Sequence, residues 1–236
     1  MNKIALGIDH GNSLVKTENT ATPSMLERRL RKPETGEASL LVDDEIYTVS
    51  GERIPFMLDK TADERFFHLT QIAIGRELVE SGRYGYSSVH PIPLHLGVGL
   101  PPEHFSLMNK SFQGYFLNRG TLSFHYDGKP FHVVIEGASV YVQGYVTLAT
   151  LDPGLIKDRR IVIIDIGGFT TDVIVVHKGR MQQAESLEKG IITLCNRIRS
   201  ELFSSCGIRY EEEDIIEALQ GSLAIVNKDH MSFIQD

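Results

Sequence analysis

The sequence predicts an α/β protein built as two lobes, and three observations carry that prediction. Short apolar runs of strand character alternate with segments whose apolar residues recur at helical spacing. One design, an apolar strand ending in Asp-x-Gly and followed by a turn and a second strand, occurs twice, at Asp9 and at Asp165. The 236 residues suffice for one large or two small domains, with a core that needs no disulfide or metal to hold it. Each copy of the design therefore opens a lobe, expected at residues 1–155 and 156–236.

In chain order, residues 3–8 form an apolar strand that runs into Asp9-His10-Gly11-Asn12, and the alternating segment 13–17 is its partner. Residues 27–37 are polar and carry Pro33 and Gly36, so a loop is expected. Segments 40–42 and 46–49, separated by three acidic residues, read as a hairpin. Thr61 followed by Glu64 has the form of a capping box, opening a helix that carries Phe66, Phe67, Leu69, Ile72 and Leu78 and ends near Gly82. Residues 94–100 are a strand stopped by Pro101-Pro102, and 106–117 a helix closed by Gly120. Asp127-Gly128 joins strands 121–126 and 130–136, because this pair takes the positive φ of a two-residue turn. Residues 140–142 continue as strand and 143–151 turn helical. Residues 161–164 are apolar without alternation, which predicts a strand buried on both faces. Residues 171–176 follow as strand, with a Lys178-Gly179 turn and a return through Met181. Residues 189–203 form a helix on the spacing of Ile191, Leu194, Ile198 and Leu202, and 212–219 the last one.

Apolar side chains make up 42% and charged ones 23%, the balance of a soluble globular chain. Asp and Glu outnumber Lys and Arg by 31 to 24, leaving a net charge of −7. That excess argues against a direct hold on nucleic acid or on a membrane surface, since both need a basic field. The two cysteines, Cys195 and Cys206, point to a reducing compartment, and no apolar run reaches the ~18 residues of a membrane span, so the cytoplasm is expected.

The chemistry lies in the repeated design. It puts a carboxylate at a strand end beside unhindered backbone amides, and consecutive N–H groups there form a nest for anions. Two such turns facing each other can grip a polyphosphate from both sides. Asp9 and Asp165 would then point toward a hydrated Mg²⁺, which keeps waters and takes few protein ligands. Lys16, on the strand after the first turn, supplies a point charge to the phosphates.

At these residues the sequence resembles the superfamily of actin, sugar kinases and heat-shock chaperone ATPases: residues 9–16 resemble its first phosphate loop and 165–172 its second. Within that group it is most similar to the ParM/StbA actin-like proteins that segregate plasmids. The similarity runs through Asp59-Lys60-Thr61 ahead of a helix and through residues 98–103, 140–144 and 187–191. The resemblance implies a two-lobed actin-like fold of the ribonuclease H-like kind, its second lobe incomplete. It implies ATP (or GTP) bound with Mg²⁺ between the lobes and hydrolysed in step with filament assembly. Gly11, Asn12, Ser13 and Lys16 would hold phosphates from one lobe and Gly167, Gly168 and Thr170 from the other. Asp9 and Asp165 would hold the metal's water shell, Asp165 being essential to turnover, and Gln143 would orient the attacking water. An amide takes no full proton at neutral pH, so hydrolysis is expected to be slow until filament contacts tighten the geometry. The implied partners are further copies of the chain and a DNA-binding adaptor protein that carries plasmid or phage DNA, with no direct contact to nucleic acid or membrane. The sequence departs from the family in one respect: no Gly-Gly motif of the kind that wraps adenine follows Gly190. A shortened product, or a base held by other residues, is the expectation, with weak ATP binding in isolation.

Two other readings compete. A small-molecule kinase of the same superfamily needs a catalytic aspartate poised on a bound hydroxyl, for which the first lobe offers no candidate. A degenerate, non-hydrolysing nucleotide-binding scaffold is kept open by the missing adenine motif. Asp172 is expected to brace the second loop or touch an ion, Arg28 to Lys32 to be a solvated loop, and Cys195, Phe105, Phe112 and Phe116 to be core.

Overall fold

Leu6, Ile8 and His10 alternate with Ala5, Gly7 and Asp9 along the first strand, β1 (Ile4–His10), so one of its faces is buried and the other open. The computed structural model describes residues 3–33, 38–85, 87 and 89–221 and builds a nine-stranded sheet around this strand. β2 (Leu14–Lys16) and β3 (Ala21–Pro23) continue from β1 as antiparallel neighbours. Next come β4 (Met25–Arg29), β5 (Ser39–Val42) and β6 (Glu45–Arg53), then helix α1 (Glu64–Glu80), β7 (Ile92–Leu100) and helix α2 (Pro102–Leu117). The hairpin β8 (Thr121–Tyr126) and β9 (Lys129–Val142) turns at Asp127 and Gly128, whose φ angles are 49° and 74°. The strand order is β3-β2-β1-β7-β9-β8-β5-β6-β4, with β1, β7 and β9 mutually parallel.

One face of this sheet makes the core. Strict alternation along β7 buries Ile92, Leu94, Leu96, Val98 and Leu100. Against them α1 brings Phe66, Phe67, Leu69 and Ile72, and α2 brings Phe112 and Phe116. Each such side chain contributes about 1.5–3 kcal/mol of burial.

After a 3₁₀ turn at Tyr145–Thr150 and the short α3 (Pro153–Lys157), a second sheet repeats the opening meander. Its strands β10 (Arg160–Ile166), β11 (Thr171–His177) and β12 (Arg180–Leu187) run antiparallel in that order. Helices α4 (Ile191–Cys206) and α5 (Glu212–Leu219) then pack on each other through Cys195, Ile198, Leu202, Ile215 and Ala218.

Several expectations are corrected. The polar segment 27–37 is not all loop: Met25–Arg29 is the edge strand of the large sheet, paired with β6. A solvent-facing edge strand carries charge without cost, and here Arg28 pairs with Glu45 and Arg29 with Glu27. Residues 34–37 of that expected loop lie outside the described residues. The capping residue of α1 is Asp63, whose carboxylate accepts from the Arg65 amide, while Thr61 belongs to a preceding 3₁₀ turn capped by Asp59. β7 ends at Leu100, before Pro101, as expected, but Pro102 begins α2 a turn earlier than expected, its missing N–H costing nothing there. β12 runs on to Leu187 rather than stopping at Met181. β10 is buried on one face only. Ile161 and Ile163 pack with Leu148, Ile174 and Val176, whereas Val162, Ile164 and Ile166 are 56, 64 and 66% exposed.

Candidate functional site

The two hairpin tips are shaped by what their glycines must approach. A Cβ on Gly11 would lie 2.6 Å from the Leu14 carbonyl oxygen, so the turn between β1 and β2 closes only around glycine. Gly167 N–H donates to the Thr170 carbonyl at 2.8 Å and closes the second turn. The start of α4 is fastened to that turn: Ile191 and Ile192 amides donate to the Gly167 and Gly168 carbonyls at 3.0 and 2.8 Å. Gly190 passes so close that its Cβ would stand 2.2 Å from the Gly168 oxygen. The tips meet, since a Cβ on Gly168 would be 3.1 Å from both Cβ and N of Ser13.

Strand register decides which side chains share a face. Asp9 lies opposite Lys16 in the first hairpin, and Asp165 lies opposite Asp172 in the second. Asp172 is 5% exposed and accepts a hydrogen bond from the Ser186 hydroxyl; burial pushes its carboxyl above the usual range. Gln143, just beyond β9, lies across β7, where a Cβ on Gly99 would come within 2.7 Å of its Cγ. Its amide Nε2 donates to Asp9 Oδ1 at 2.8 Å.

A cavity of about 390 Å³ lies between these parts. All ten residues singled out in the sequence line it: Asp9, Gly11, Asn12, Ser13, Lys16, Gln143, Asp165, Gly167, Gly168 and Thr170. Its wall carries five carboxylates, from Asp9, Glu103, Asp165, Asp172 and Glu188, against two lysines, Lys16 and Lys60. Asp9 opens onto the cavity yet is deep among protein atoms. Burial raises its pKa, and the charges of Lys60 and Lys16 and the Gln143 hydrogen bond pull back against that rise. Asn12 Oδ1 is buried without a partner. A flip of that amide would present its N–H₂ to an anion in the cavity.

The sequence reading missed three contributors. His10 is 2% exposed, packs against Phe112 and Phe116, and shares a hydrogen bond from Nε2 with Thr70 Oγ1 at 2.8 Å. Burial and the neighbouring Lys60 charge push its pKa down to about 3, so it is a neutral floor beneath the first turn. Lys60 itself reaches the cavity from the 3₁₀ turn before α1, with burial pulling its pKa down to about 8. Arg53 joins the lobes, donating to the Ser13 carbonyl at 3.1 Å and to Glu212 Oε1 of α5 at 2.7 Å. Only Asp59-Lys60-Thr61 carried any sequence signal, and that signal pointed to a family rather than to a role.

The architecture is that of the two-lobed actin-like fold, with a cavity between its two Asp-x-Gly hairpins. Comparison with solved structures bears this out. Ta0583, an archaeal actin homologue, superposes with a TM-score of 0.75 at 20% identity, over 98% of this chain and 78% of that one. A ParM filament from Clostridium botulinum gives 0.70 at 17% identity, over 99% and 80%, and the psk41 ParM protein 0.67 at 16%, over 100% and 78%. At these identities the likeness establishes the fold, and about a fifth of each of those structures has no counterpart in this chain. No protein-family model matches the sequence, and no curated protein matches it significantly. Among the described residues no helix is long and apolar enough to cross a membrane.

Proposed function

We propose that the chain is an actin-like nucleotide-binding protein that holds ATP (or GTP) with Mg²⁺ between its two hairpins, hydrolyses it, and assembles with further copies into filaments. The filaments would serve plasmid or phage DNA segregation through a separate DNA-binding adaptor, as the acidic charge of the chain favours. The observation that carries this reading is the convergence of two remote Asp-x-Gly turns on one cavity, with Ser13 and Gly168 in near contact. Gly11, Asn12, Ser13 and Lys16 then hold phosphates from one side, and Gly167, Gly168 and Thr170 from the other, through backbone amides and one ammonium. The excess of carboxylates on the wall supports entry of the polyphosphate together with a divalent cation rather than alone. Mg²⁺ fits such a wall, because it takes one or two carboxylates besides phosphate and water; Asp9 and Asp165 would hold its water shell. Once bound, it supplies positive charge to the phosphate oxygens. The Gln143 amide, oriented by Asp9, positions water near the terminal phosphate and accepts no proton, which makes basal hydrolysis slow. In support, Ta0583 has been solved in complex with ADP, and the Clostridium botulinum ParM forms a filament of 15 strands.

Right-angle light scattering followed together with phosphate release tests the reading. Scattering should rise on adding Mg-ATP and fall as phosphate appears, and Asp165→Ala should lower metal-dependent turnover by about 10²-fold or more. Phosphate transfer to a sugar or acid with flat scattering would favour the kinase, and bound nucleotide without turnover would favour the scaffold.

A further inference from the structure

Lys60 lines the cavity with donors left over for a ligand. The 3₁₀ turn that carries it is fixed by Asp59, whose carboxylate accepts from the Thr61 amide at 2.9 Å and the Thr61 hydroxyl at 2.6 Å. Its Nζ lies over the face of Phe66, 5.5 Å from the ring centroid. From there Nζ donates to the main-chain carbonyl of His10, next to Asp9. Among the described residues the His10 oxygen is its one hydrogen-bond acceptor, and the Asp9 carboxylate acts on it through charge without forming an ion pair at contact distance. An ammonium has three donors, and those not used on the His10 carbonyl remain for an anion that enters the cavity.

The two cavity lysines differ in depth. Lys16 is exposed at the end of β2, whereas Lys60 is half-buried and rooted at the floor, between His10 and the start of α1. A nucleotide that enters phosphates first brings its last phosphate to that floor, where Asp9 and the Gln143 amide also converge. We propose that Lys60 reads the terminal phosphate, so that the site distinguishes a nucleoside triphosphate from a diphosphate. Lys16 holds the phosphates that both ligands share. This inference rests on the nucleotide-binding reading and adds to it the residue that senses the state of the nucleotide.

The test is the affinity of the protein for Mg-AMPPNP and for Mg-ADP, measured by titration calorimetry on the unaltered chain and on Lys60→Met. The unaltered chain should bind both. Lys60→Met should weaken AMPPNP binding by about tenfold or more, the loss expected for one charge-assisted hydrogen bond, while ADP binding stays within about twofold. Equal losses for both ligands would make Lys60 a structural residue, and no loss for either would deny it a role; each result overturns the inference. If Lys60→Met fails to give a cooperative melt, Lys60→Gln, which keeps a polar donor on a shorter stem, carries the same comparison. An unaltered chain that binds neither ligand overturns the nucleotide reading itself, and this inference with it.

Discussion

The residue between Asp and Gly differs in kind between the two hairpins, and its surroundings invert the usual preference. In the first it is His10, polar and 2% exposed; in the second it is Ile166, apolar and 66% exposed. The strand geometry is the same in both, an aspartate at the strand end with its neighbour turned to the opposite face. What differs is cover. β1 lies under α1 and α2, so its inward position receives Thr70, Phe112 and Phe116, whereas the corresponding face of β10 is open among the described residues. The register partners differ as well: Asp9 faces a lysine and Asp165 a second aspartate. The two register pairs thus differ in charge, and the first hairpin is covered by two helices on the face that the second leaves open.

The contrast can be broken by substitution. His10→Ala opens a void beneath the first turn and should cost about 2–3 kcal/mol in urea unfolding. Ile166→Ala should cost under about 0.5 kcal/mol, because that side chain is exposed. Equal costs would mean that the face of β10 is packed against something in solution, and the asymmetry between the hairpins would vanish.

A smaller effect sharpens the comparison at the next turn of each meander. Glu77 of α1, 1% exposed, anchors the link from β2 to β3, accepting from Thr17 Oγ1 at 2.6 Å, Asn19 N at 3.0 Å, Asn19 Nδ2 at 2.7 Å and Arg83 at 3.2 Å. The equivalent turn between β11 and β12 is held by the Tyr145 hydroxyl donating to the Gly179 carbonyl at 2.6 Å. Burial pushes the Glu77 carboxyl up, but the hydrogen bonds from Thr17 and Asn19 and the Arg83 charge outweigh it and hold the pKa below its ordinary 4.5. A carboxyl depressed on folding stabilises above its unfolded pKa and loses that contribution as pH falls. Glu77→Gln should therefore lower stability at pH 7 by about 1–3 kcal/mol and flatten its decline below about pH 4.5. An acid limb unchanged by the substitution would remove Glu77 from the account.

The hairpins were legible in the sequence because their signal is local: an apolar run, an acid, a glycine and a second strand. The same holds for the Asp127-Gly128 turn, whose positive φ angles follow from the residue pair. Features set by distant contacts were not legible. β4 reads as loop because an edge strand needs no apolar face, and β10 reads as doubly buried because four apolar residues say nothing of what lies against them. Lys60 has no periodic signature; a solitary lysine before a helix becomes part of a cavity only when α1 docks under β1. Gln143 was placed by resemblance, while its bond to Asp9, 134 residues away, comes from β7 carrying glycine at position 99.

The claim on which the rest depends is that both hairpins hold one ligand. Nuclear magnetic resonance of the labelled protein with Mn²⁺-AMPPNP tests it directly, because the paramagnetic ion broadens only amides close to it. The account predicts that the amides of Gly11, Asn12 and Ser13 and those of Gly167, Gly168 and Thr170 disappear together, at the same ligand concentration. Broadening confined to one hairpin, with the other unaffected at saturation, would contradict it.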